Sequence, residues 1–564
     1  MRSADAEPSR LRVPDLNEER VALERARVAA GVKLDRLLNM PSTSAGVAHA
    51  EHKDDYVNEG IRAVIQGAVD TLRRDLVVFG RIDDDRPWRV GLYGVDALGD
   101  QLVIDWRARF AEKFYQATFD EPLGLTRRVS YVGCIDDLFV EDFVTGEVGG
   151  TSPLLAELSR GRGSTMRVAV ATLQSEQDHL VRLDPRERLV LRGGPGTGKT
   201  VVGLHRAAWL VYNDRRITSD KILVLGPSER YLSFVSAVLP TLGETKVKQT
   251  TFMTLLGPSC EAGGDERWLE ILDALERSML RPADVSIGRR VVPADEVAAL
   301  IDRYATRNLP WRDRRTPFVN ELFKRGHDLA DRDPVTRPQV AEAVKSIWPS
   351  CTVRQAWAKV RSKRTLDALG VDPSLTRAWL AADGDGALHD EVRARFEGVP
   401  ARYSHVIVDE AQDLSLLQLR AVMRRSDGFT LVGDDAQRSN PSGIGLARAA
   451  ALLGSPLVEM RTAYRMSAEI ADWLNVHATA HALDAIELIG IRPTGTPVRE
   501  MPSVDAAVRD LTTRWENVAV IRPGEVWEHK GVEYDAVVVD RAGMTPSEVY
   551  LAASRAAHEL AIVD

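Results

Sequence analysis

Residues 187–212 read ERLVLRGGPGTGKTVVGLHRAAWLVY, and this stretch decides the fold. A short run rich in Val and Leu, a glycine-dense turn and a run with apolar positions at helical spacing follow one another without a gap, the order of a strand, a loop and a helix. The turn Gly193-Gly194-Pro195-Gly196-Thr197-Gly198-Lys199-Thr200 fits GxxxxGK[ST] in the context that motif requires. Its glycines let backbone N–H groups and the helix N-terminus, which continues into Val201, face a polyphosphate. Lys199 then reaches the β and γ oxygens, and the Thr200 hydroxyl is placed for Mg²⁺. Gly193 through Val201 are therefore the candidate nucleotide-binding residues, with ATP and Mg²⁺ as the implied cofactors.

A second stretch supplies acids. Val406-Ile407-Val408-Asp409-Glu410-Ala411-Gln412-Asp413 puts two carboxylates at the end of an apolar strand, where an ion or ligand must offset the desolvation of charge. Asp409 is the candidate metal ligand beside Thr200. Glu410 is the candidate base for the attacking water, since a carboxylate engaged with the metal cannot serve both roles. Acids at strand ends can also merely cap the next helix; the phosphate loop is what favours chemistry. Gly433-Asp434-Asp435-Ala436-Gln437 follows the run FTLV, again at a strand's carboxyl end, where Gln437 can sense the γ-phosphate. Arg465 in TAYRMSAEI and Arg555 in VYLAASRAAHEL are candidate cations for the charge on a transferring phosphoryl group, although either alone reads as a surface arginine.

Around these motifs, Val- and Ile-rich runs alternate with helical stretches: KILVLGP, SHVIVDE and GFTLVGD, then ENVAVIRP, DAVVVDRA and ELAIVD. That alternation predicts an α/β fold with parallel sheets. Residues 253–400 interrupt the first set and read as mostly helical, with cap-like starts in TRPQVAEAV and DPSLTRAWL, so an inserted domain is expected. Its stretch 301–365 holds 15 Lys and Arg against 7 Asp and Glu, either a solvated face or a contact surface for nucleic acid or an acidic partner. Ahead of the phosphate loop, residues 16–40 and 56–76 have apolar positions at helical spacing on either side of the breaker PSTSAG at 41–46. This predicts an antiparallel hairpin about 35 to 40 Å long, packed or projecting. From Val77 to about residue 150, the runs VVFGRID, WRVGLYGV and QLVIDW predict a small β-rich unit, with GEVGGTS (146–152) and GRGS (161–164) as boundary loops.

The 564 residues carry 74 basic and 82 acidic side chains, a net charge of −8, with 28% charged and 44% hydrophobic residues. That is the profile of a folded chain of several domains, and it excludes a basic coat for nucleic acid. The opening MRSADAEPSRLRVPD holds no apolar core of a signal peptide, and no run of about 18 apolar residues could span a bilayer, so a cytoplasmic protein without a membrane partner is expected. Cys134, Cys260 and Cys351 lie too far apart for a CxxC metal knuckle or a disulfide framework. Trp106, Trp311, Trp348 and Trp357 are expected in cores, and His405 as a satisfied polar neighbour of its strand.

Taken in order, Gln177 in LQSEQDHLV, then GGPGTGKT, DEAQD, GDDAQ, AYR, HKGVEYD and YLAASRA resemble the superfamily 1 helicase series of the UvrD and Rep type over about 171–252 and 404–564. The resemblance implies two RecA-like domains. It also implies that Gln177 contacts the adenine edge, that Tyr464 stacks on the base and that Glu533 accepts from the ribose. Arg465 and Arg555 would be arginine fingers across a cleft from Lys199, coupling hydrolysis to closure of two lobes.

Further upstream, LVVFGRID, YVGC, LVIDWRARFAEKFYQAT and GLTRRVSY look like the segment that precedes the motor in HelD-type proteins, the bacterial RNA polymerase-associated ATPases; Arg109 departs from the proline that family commonly has after DWRA. By this resemblance the division is a helical arm (1–76), a small β-rich domain (77–165), a first RecA-like domain (166–252 and 401–457), its helical insertion (253–400) and a second RecA-like domain (458–564). The arm would enter the polymerase secondary channel and the insertion the main channel, with core RNA polymerase as partner and the protein a monomer. Asp54 and Asp55 near the hairpin tip would approach the polymerase's catalytic metal, or form a solvated acidic turn.

Two features argue against strand separation. From Arg465 to Lys530 is only 65 residues, too few for the large second-lobe insertion of strand-separating relatives. After GDDAQ, the run RSNPSGIGLARAA lacks the aromatic platforms that are worth about 1–3 kcal/mol per base on single strands. The reading is an ATP-hydrolysing motor that binds bacterial RNA polymerase and displaces nucleic acid while touching it at most weakly; displacement of a rifamycin drug is implied by HelR-type members. The alternatives are a single-stranded DNA translocase or helicase, and a polymerase-binding scaffold that nucleotide only stiffens.

Overall fold

The computed structural model describes residues 12–38, 78–132, 137–158, 172–236, 238–244, 246–287, 290–305, 309–326 and 336–564. The breaker at 41–46, Asp54 and Asp55, the segment 56–76, Cys134 and the GRGS loop lie outside the described residues.

The first helix, Leu16–Leu38, starts where the Asp15 carboxylate accepts from the N–H groups of Asn17 (2.7 Å) and Glu18 (3.3 Å), satisfying two of the donors that a helix start leaves free. One face then docks: Ala26 and Ala30, four apart, are buried against Val78, Val95, Val103 and Val129 of the neighbouring sheet. Glu19 is fully buried there and takes hydrogen bonds from Arg81, Arg89 and Tyr131, the pairing a buried carboxylate requires. Between packed and projecting, this part of the helix is packed.

That sheet has seven strands in the order Val95–Ala97, Asp100–Asp105, Pro87–Gly91, Val78–Asp83, Arg127–Tyr131, Leu138–Asp142 and Glu147–Gly149. Its pairs are antiparallel except Pro87–Gly91 with Asp100–Asp105. The last strand falls inside 146–152, where a boundary loop was expected. The cause is a tight turn: Asp142 accepts from Val144 N (3.0 Å) and Thr145 N (3.1 Å), and Gly146 at φ +76° folds the chain back onto its partner. Arg109, in the place of the family's proline, still opens a 3₁₀ turn, Arg109–Ala111.

The first parallel sheet runs Lys248–Thr251, Ile222–Gly226, His405–Val408, Gly428–Gly433, Leu189–Gly193, Leu457–Met460. Its four central strands are buried on both faces, as helix-covered parallel sheets are. The second is a four-stranded parallel sheet, Arg499–Met501, Ala556–Val563, Tyr534–Asp540, Val518–Ile521. Between Arg465 and Lys530, all described, the chain holds two helices, Ala468–Ala480 and Val504–Leu511, short strands and a 3₁₀ turn, with no further folded unit. His405 gives or takes one hydrogen bond, Nε2 to Thr430 Oγ1 at 2.8 Å, while its buried Nδ1 faces Gly428 without a partner. It is therefore half satisfied, and burial pushes its pKa well down.

Residues 253–400 form their own core around Trp268, Trp311, Phe318, Trp348, Trp379 and Phe396; Trp357 packs at its edge. A short antiparallel pair, Val285–Ile287 with Arg290–Val292, adds strands to what the sequence predicts as helical. The insertion is locked to the motor through Glu391, fully buried and paired with Arg395 (3.0 Å), Arg420 (3.0 Å) and Arg424 (2.5 Å), two of them on or just after the helix Leu416–Met423. The β-rich unit is fused to the same motor: Trp106 packs edge-on against His205 of the phosphate-loop helix at 5.6 Å, Arg182 donates to the carbonyls of Trp106 (2.8 Å) and Ala108 (3.2 Å), and Gln116 donates to Asp178 at 3.0 Å. One hydrophobic core runs through both.

Candidate nucleotide site

The buried strand Leu189–Gly193 delivers the chain into a turn whose Gly196 (φ +74°) and Gly198 (φ +84°) adopt left-handed backbone that residues with a Cβ rarely take. A Cβ on Gly198 would also lie 2.3 Å from Gln177 Nε2. The helix Lys199–Asn213 starts directly after it, so the turn's N–H groups and the helix N-terminus converge. Thr197 Oγ1 donates to Gly194 O at 2.8 Å within the turn, and the buried Lys199 ammonium lies 3.4 Å from the same carbonyl. Pro195 stands between these glycines. Val201 is 2% exposed with its side chain in the core and its carbonyl bonded to His205 Nδ1 (2.8 Å), so only its backbone N–H bears on the turn.

Gln177 is buried beside the turn. Its Nε2 donates to Thr197 O at 3.0 Å and its Oε1 accepts from Gln174 N at 3.2 Å, closing a capping box on the helix Ser175–Val181. Tyr464 and Arg465 arrive from the second lobe with their backbone N–H groups donating to Gly196 O at 3.0 and 3.2 Å. Burial, with Glu176 beside it at 3.5 Å, pushes the Tyr464 hydroxyl up to about 12.

The acids sit where the strand His405–Val408 ends. Asp409 Oδ2 accepts from both Thr200 Oγ1 and Tyr231 OH, each at 2.6 Å, while Oδ1 accepts from Glu410 N at 2.8 Å. Burial and the neighbouring Glu410 raise the Asp409 pKa. Glu410 stands at φ +55°, a left-handed conformation that costs a non-glycine residue on the order of 1–3 kcal/mol and is tolerated mainly where function fixes it. Burial alone would raise the Glu410 carboxyl, but Lys530, Lys199 and Arg555 outweigh it and hold it down at about 2. Gln412 Nε2 donates to it at 2.8 Å, and Lys530 of the second lobe approaches at 3.3 Å.

Gln437 bridges the lobes. Its Nε2 donates to Asp434 at 2.8 Å, and its Oε1 accepts from Arg555 Nη2 at 2.8 Å. Arg465 pairs with Glu533 on its own lobe, at 3.3 Å, and Arg555 reaches Gln437 of the first lobe's motifs. Gly193 through Thr200, Asp409, Glu410, Gln437, Gln177, Tyr464 and Arg555 are thus gathered at one junction, with Arg465 and Glu533 paired at its rim.

Lys530, Tyr231, Asp434 and Gln412 belong to the junction too. Lys530 stands in HKGVEYD and Asp434 in GDDAQ, so motif position could have flagged them; nothing around Tyr231 could. The donor set fits a magnesium nucleotide: hard oxygens of the half-buried Thr200 and the buried Asp409 meet beside a turn of convergent N–H groups and the buried Lys199. Among the described residues no group of three or more His, Cys, Asp or Glu forms a metal cluster. No described helix is long and apolar enough to cross a membrane.

Two family models match the chain. Residues 16–134 match the family model "DNA helicase IV HelD, N-terminal domain", and residues 177–442 match an AAA domain. No curated protein matches the chain. Solved structures similar to it include arterivirus nonstructural protein 10, a helicase, at 13% identity over 70% of this chain and 62% of that one, with a TM-score of 0.27. The same viral helicase in complex with DNA follows at 13%, 69%, 63% and 0.28, and the PRRSV helicase at 13%, 68%, 54% and 0.27. The chain thus spans less than two thirds of the length of these structures. With a HelD N-terminal domain running into an AAA domain whose phosphate loop, acids and opposing arginine meet at one junction, this chain is a HelD-type helicase-like ATPase.

Proposed function

We propose that this ATPase binds bacterial RNA polymerase core and remodels it, displacing nucleic acid through opening and closing of the two lobes. The observation that carries the motor is the Gln437–Arg555 hydrogen bond, because it ties the sensing position of one lobe to a cation of the other at the acids' edge. In this reading Thr200 and Asp409 hold Mg²⁺, Lys199 and the turn amides hold the phosphates, and Gln177, Tyr464 and Glu533 surround the nucleoside. Mg²⁺ would neutralise charge on the phosphate oxygens when bound. Glu410 orients and deprotonates the attacking water, and Arg555, joined by Arg465, meets the charge that develops on the phosphoryl group.

The polymerase half of the proposal is supported by the resemblance to HelD-type proteins, by the absence of a second-lobe insertion between Arg465 and Lys530, and by the basic stretch of the insertion. Binding that differs between nucleotide states is what a remodeller needs. Displacement of a rifamycin drug belongs to the same proposal and is read out by whether gene deletion changes rifampicin susceptibility. A translocase remains the second reading because Trp527, 39% exposed just ahead of Lys530, could take a base.

Co-elution of the full chain with core RNA polymerase, with and without ATP, tests the partner; failure to co-elute in either condition removes it. Glu410→Gln tests the motor: it should lower turnover by roughly 10²- to 10⁴-fold while leaving ATP binding intact. If Glu410→Gln still releases polymerase as the wild type does, the scaffold reading replaces the motor. Strong stimulation of ATPase by single-stranded DNA, with unwinding of a tailed duplex, would favour the translocase.

A further inference from the structure

Tyr231 belongs to none of the motifs, yet it touches both lobes. It is 2% exposed on the helix Glu229–Val235, and its hydroxyl donates to Asp409 Oδ2 at 2.6 Å. Its ring occupies a slot between two glycines. A Cβ on Gly226, at the end of a first-lobe strand, would lie 2.5 Å from Tyr231 Cδ1, and a Cβ on Gly531 of the second lobe would lie 2.9 Å from Cδ2. Gly531 has φ +81°, so its backbone conformation also favours glycine. The adjacent Arg230 strengthens the same contact, donating to Glu528 O at 3.1 Å and to Tyr534 OH at 3.0 Å, both on the second lobe.

We propose that Tyr231 is a positioning residue: its hydroxyl sets the Asp409 carboxylate for Mg²⁺, and its ring, gripped between Gly226 and Gly531, makes that setting depend on where the second lobe lies. The inference rests on the ATPase reading above. Three donors fix the Asp409 carboxylate, from Thr200, Tyr231 and the Glu410 backbone. Thr200 is itself a proposed metal ligand, so Tyr231 is the side-chain donor left to orient Asp409 alone. Any shift of Gly531 relative to Gly226 presses on the ring, because protein interiors are packed too densely to absorb the movement elsewhere.

The test is Mg²⁺ titration of the binding of a fluorescent ATP analogue to the full chain, alongside steady-state ATPase. Tyr231→Phe keeps the ring and removes the donor. It should raise the Mg²⁺ midpoint about tenfold, leave nucleotide affinity in EDTA within twofold, and lower kcat more than it changes KM for ATP. Gly531→Ala should shift the Mg²⁺ midpoint in the same direction when Tyr231 is present, and the double variant should fall short of the product of the two effects. An unchanged midpoint in a folded Tyr231→Phe overturns the positioning role, and strictly multiplicative effects of the two substitutions overturn the dependence on the second lobe. A wild-type chain that binds no nucleotide in a Mg²⁺-dependent way removes the ATPase reading, and this inference with it.

Discussion

Lys530 places its ammonium 3.3 Å from the Glu410 carboxylate although the two residues belong to different lobes and lie far apart in the chain. The same ammonium donates to Asp413 at 2.6 Å and to Gln437 O at 2.9 Å, so one buried cation of the second lobe closes over the acids at the end of the first lobe's strand His405–Val408. Burial opposes the charge on Lys530, and Glu410 with Asp413 more than restores it, raising its pKa. A lobe that swings away takes this cation with it. In the proposed function the carboxylate that activates water would thereby sense closure, coupling chemistry to movement.

Lys530→Met should leave Glu410 and Asp413 buried without their cation. Breaking such a buried pair costs on the order of 3–5 kcal/mol, part of which the opening lobes would relieve. The expected outcome is a kcat at least about tenfold lower, with the acid limb of the pH–rate profile moved upward, because Glu410 loses the largest influence holding it at about 2. An acid limb left in place would show that Lys530 does not govern Glu410.

Arg555→Ala should reduce kcat by on the order of 10³-fold, the usual scale for an arginine facing a phosphoryl group. Because Arg555 and Gln437 share a 2.8 Å hydrogen bond, Gln437→Ala in that background should add much less than it does alone. Steady-state ATPase of the two single variants and the double variant measures the coupling, and independent effects would separate the two residues.

Asp434 has its carboxyl pushed up to about 6 by burial, which the Lys199 charge only partly offsets. A folded pKa above the unfolded value of 3.8 means that its contribution is fully present below about pH 4 and is lost as pH rises through 6. Asp434→Asn keeps an acceptor for Gln437 and removes that loss. The nucleotide-free variant should therefore match the wild type near pH 4 and exceed its stability at pH 8 by on the order of 3 kcal/mol, read by chemical denaturation.

Glu391 shows the opposite sign. Burial would raise its carboxyl, but Arg420, Arg424 and Arg395 hold it down at about 2 against 4.5 in the unfolded chain. Its contribution is present above about pH 4.5 and is lost as pH falls toward 2, on the order of 3 kcal/mol in all. Acidification should thus loosen the joint between the insertion and the helix Leu416–Met423, and proteolysis between residues 253 and 400 should rise in wild type at pH 3 to 4. In Glu391→Gln the same cleavage should already occur at pH 7.

Which residues could bear chemistry was written in the sequence, because the motif residues are constrained locally. A phosphate loop must be a strand, left-handed glycines and a helix in succession, and that order is visible in 187–212 and realised as Leu189–Gly193, Gly196 and Gly198, then Lys199–Asn213. The Val- and Ile-rich runs were likewise legible, since strands buried on both faces leave no alternation to misread. The strand Glu147–Gly149 was not, because it depends on Asp142 capping a turn and on a partner that already exists.

Tertiary structure alone decided who faces whom. Glu19 under Arg81, Trp106 against His205 and Glu391 beneath Arg420 and Arg424 are long-range pairings of charge and shape that no local pattern encodes. The same holds at the nucleotide junction. Sequence placed Arg465 and Arg555 on equal terms, whereas packing sends Arg465 to Glu533 and Arg555 to Gln437, and brings in Lys530 and Tyr231 from segments with quite different local roles. The reason is physical: a buried charge must find its partner wherever the folded chain supplies one, and that partner is set by how the sheets pack rather than by its neighbours in sequence.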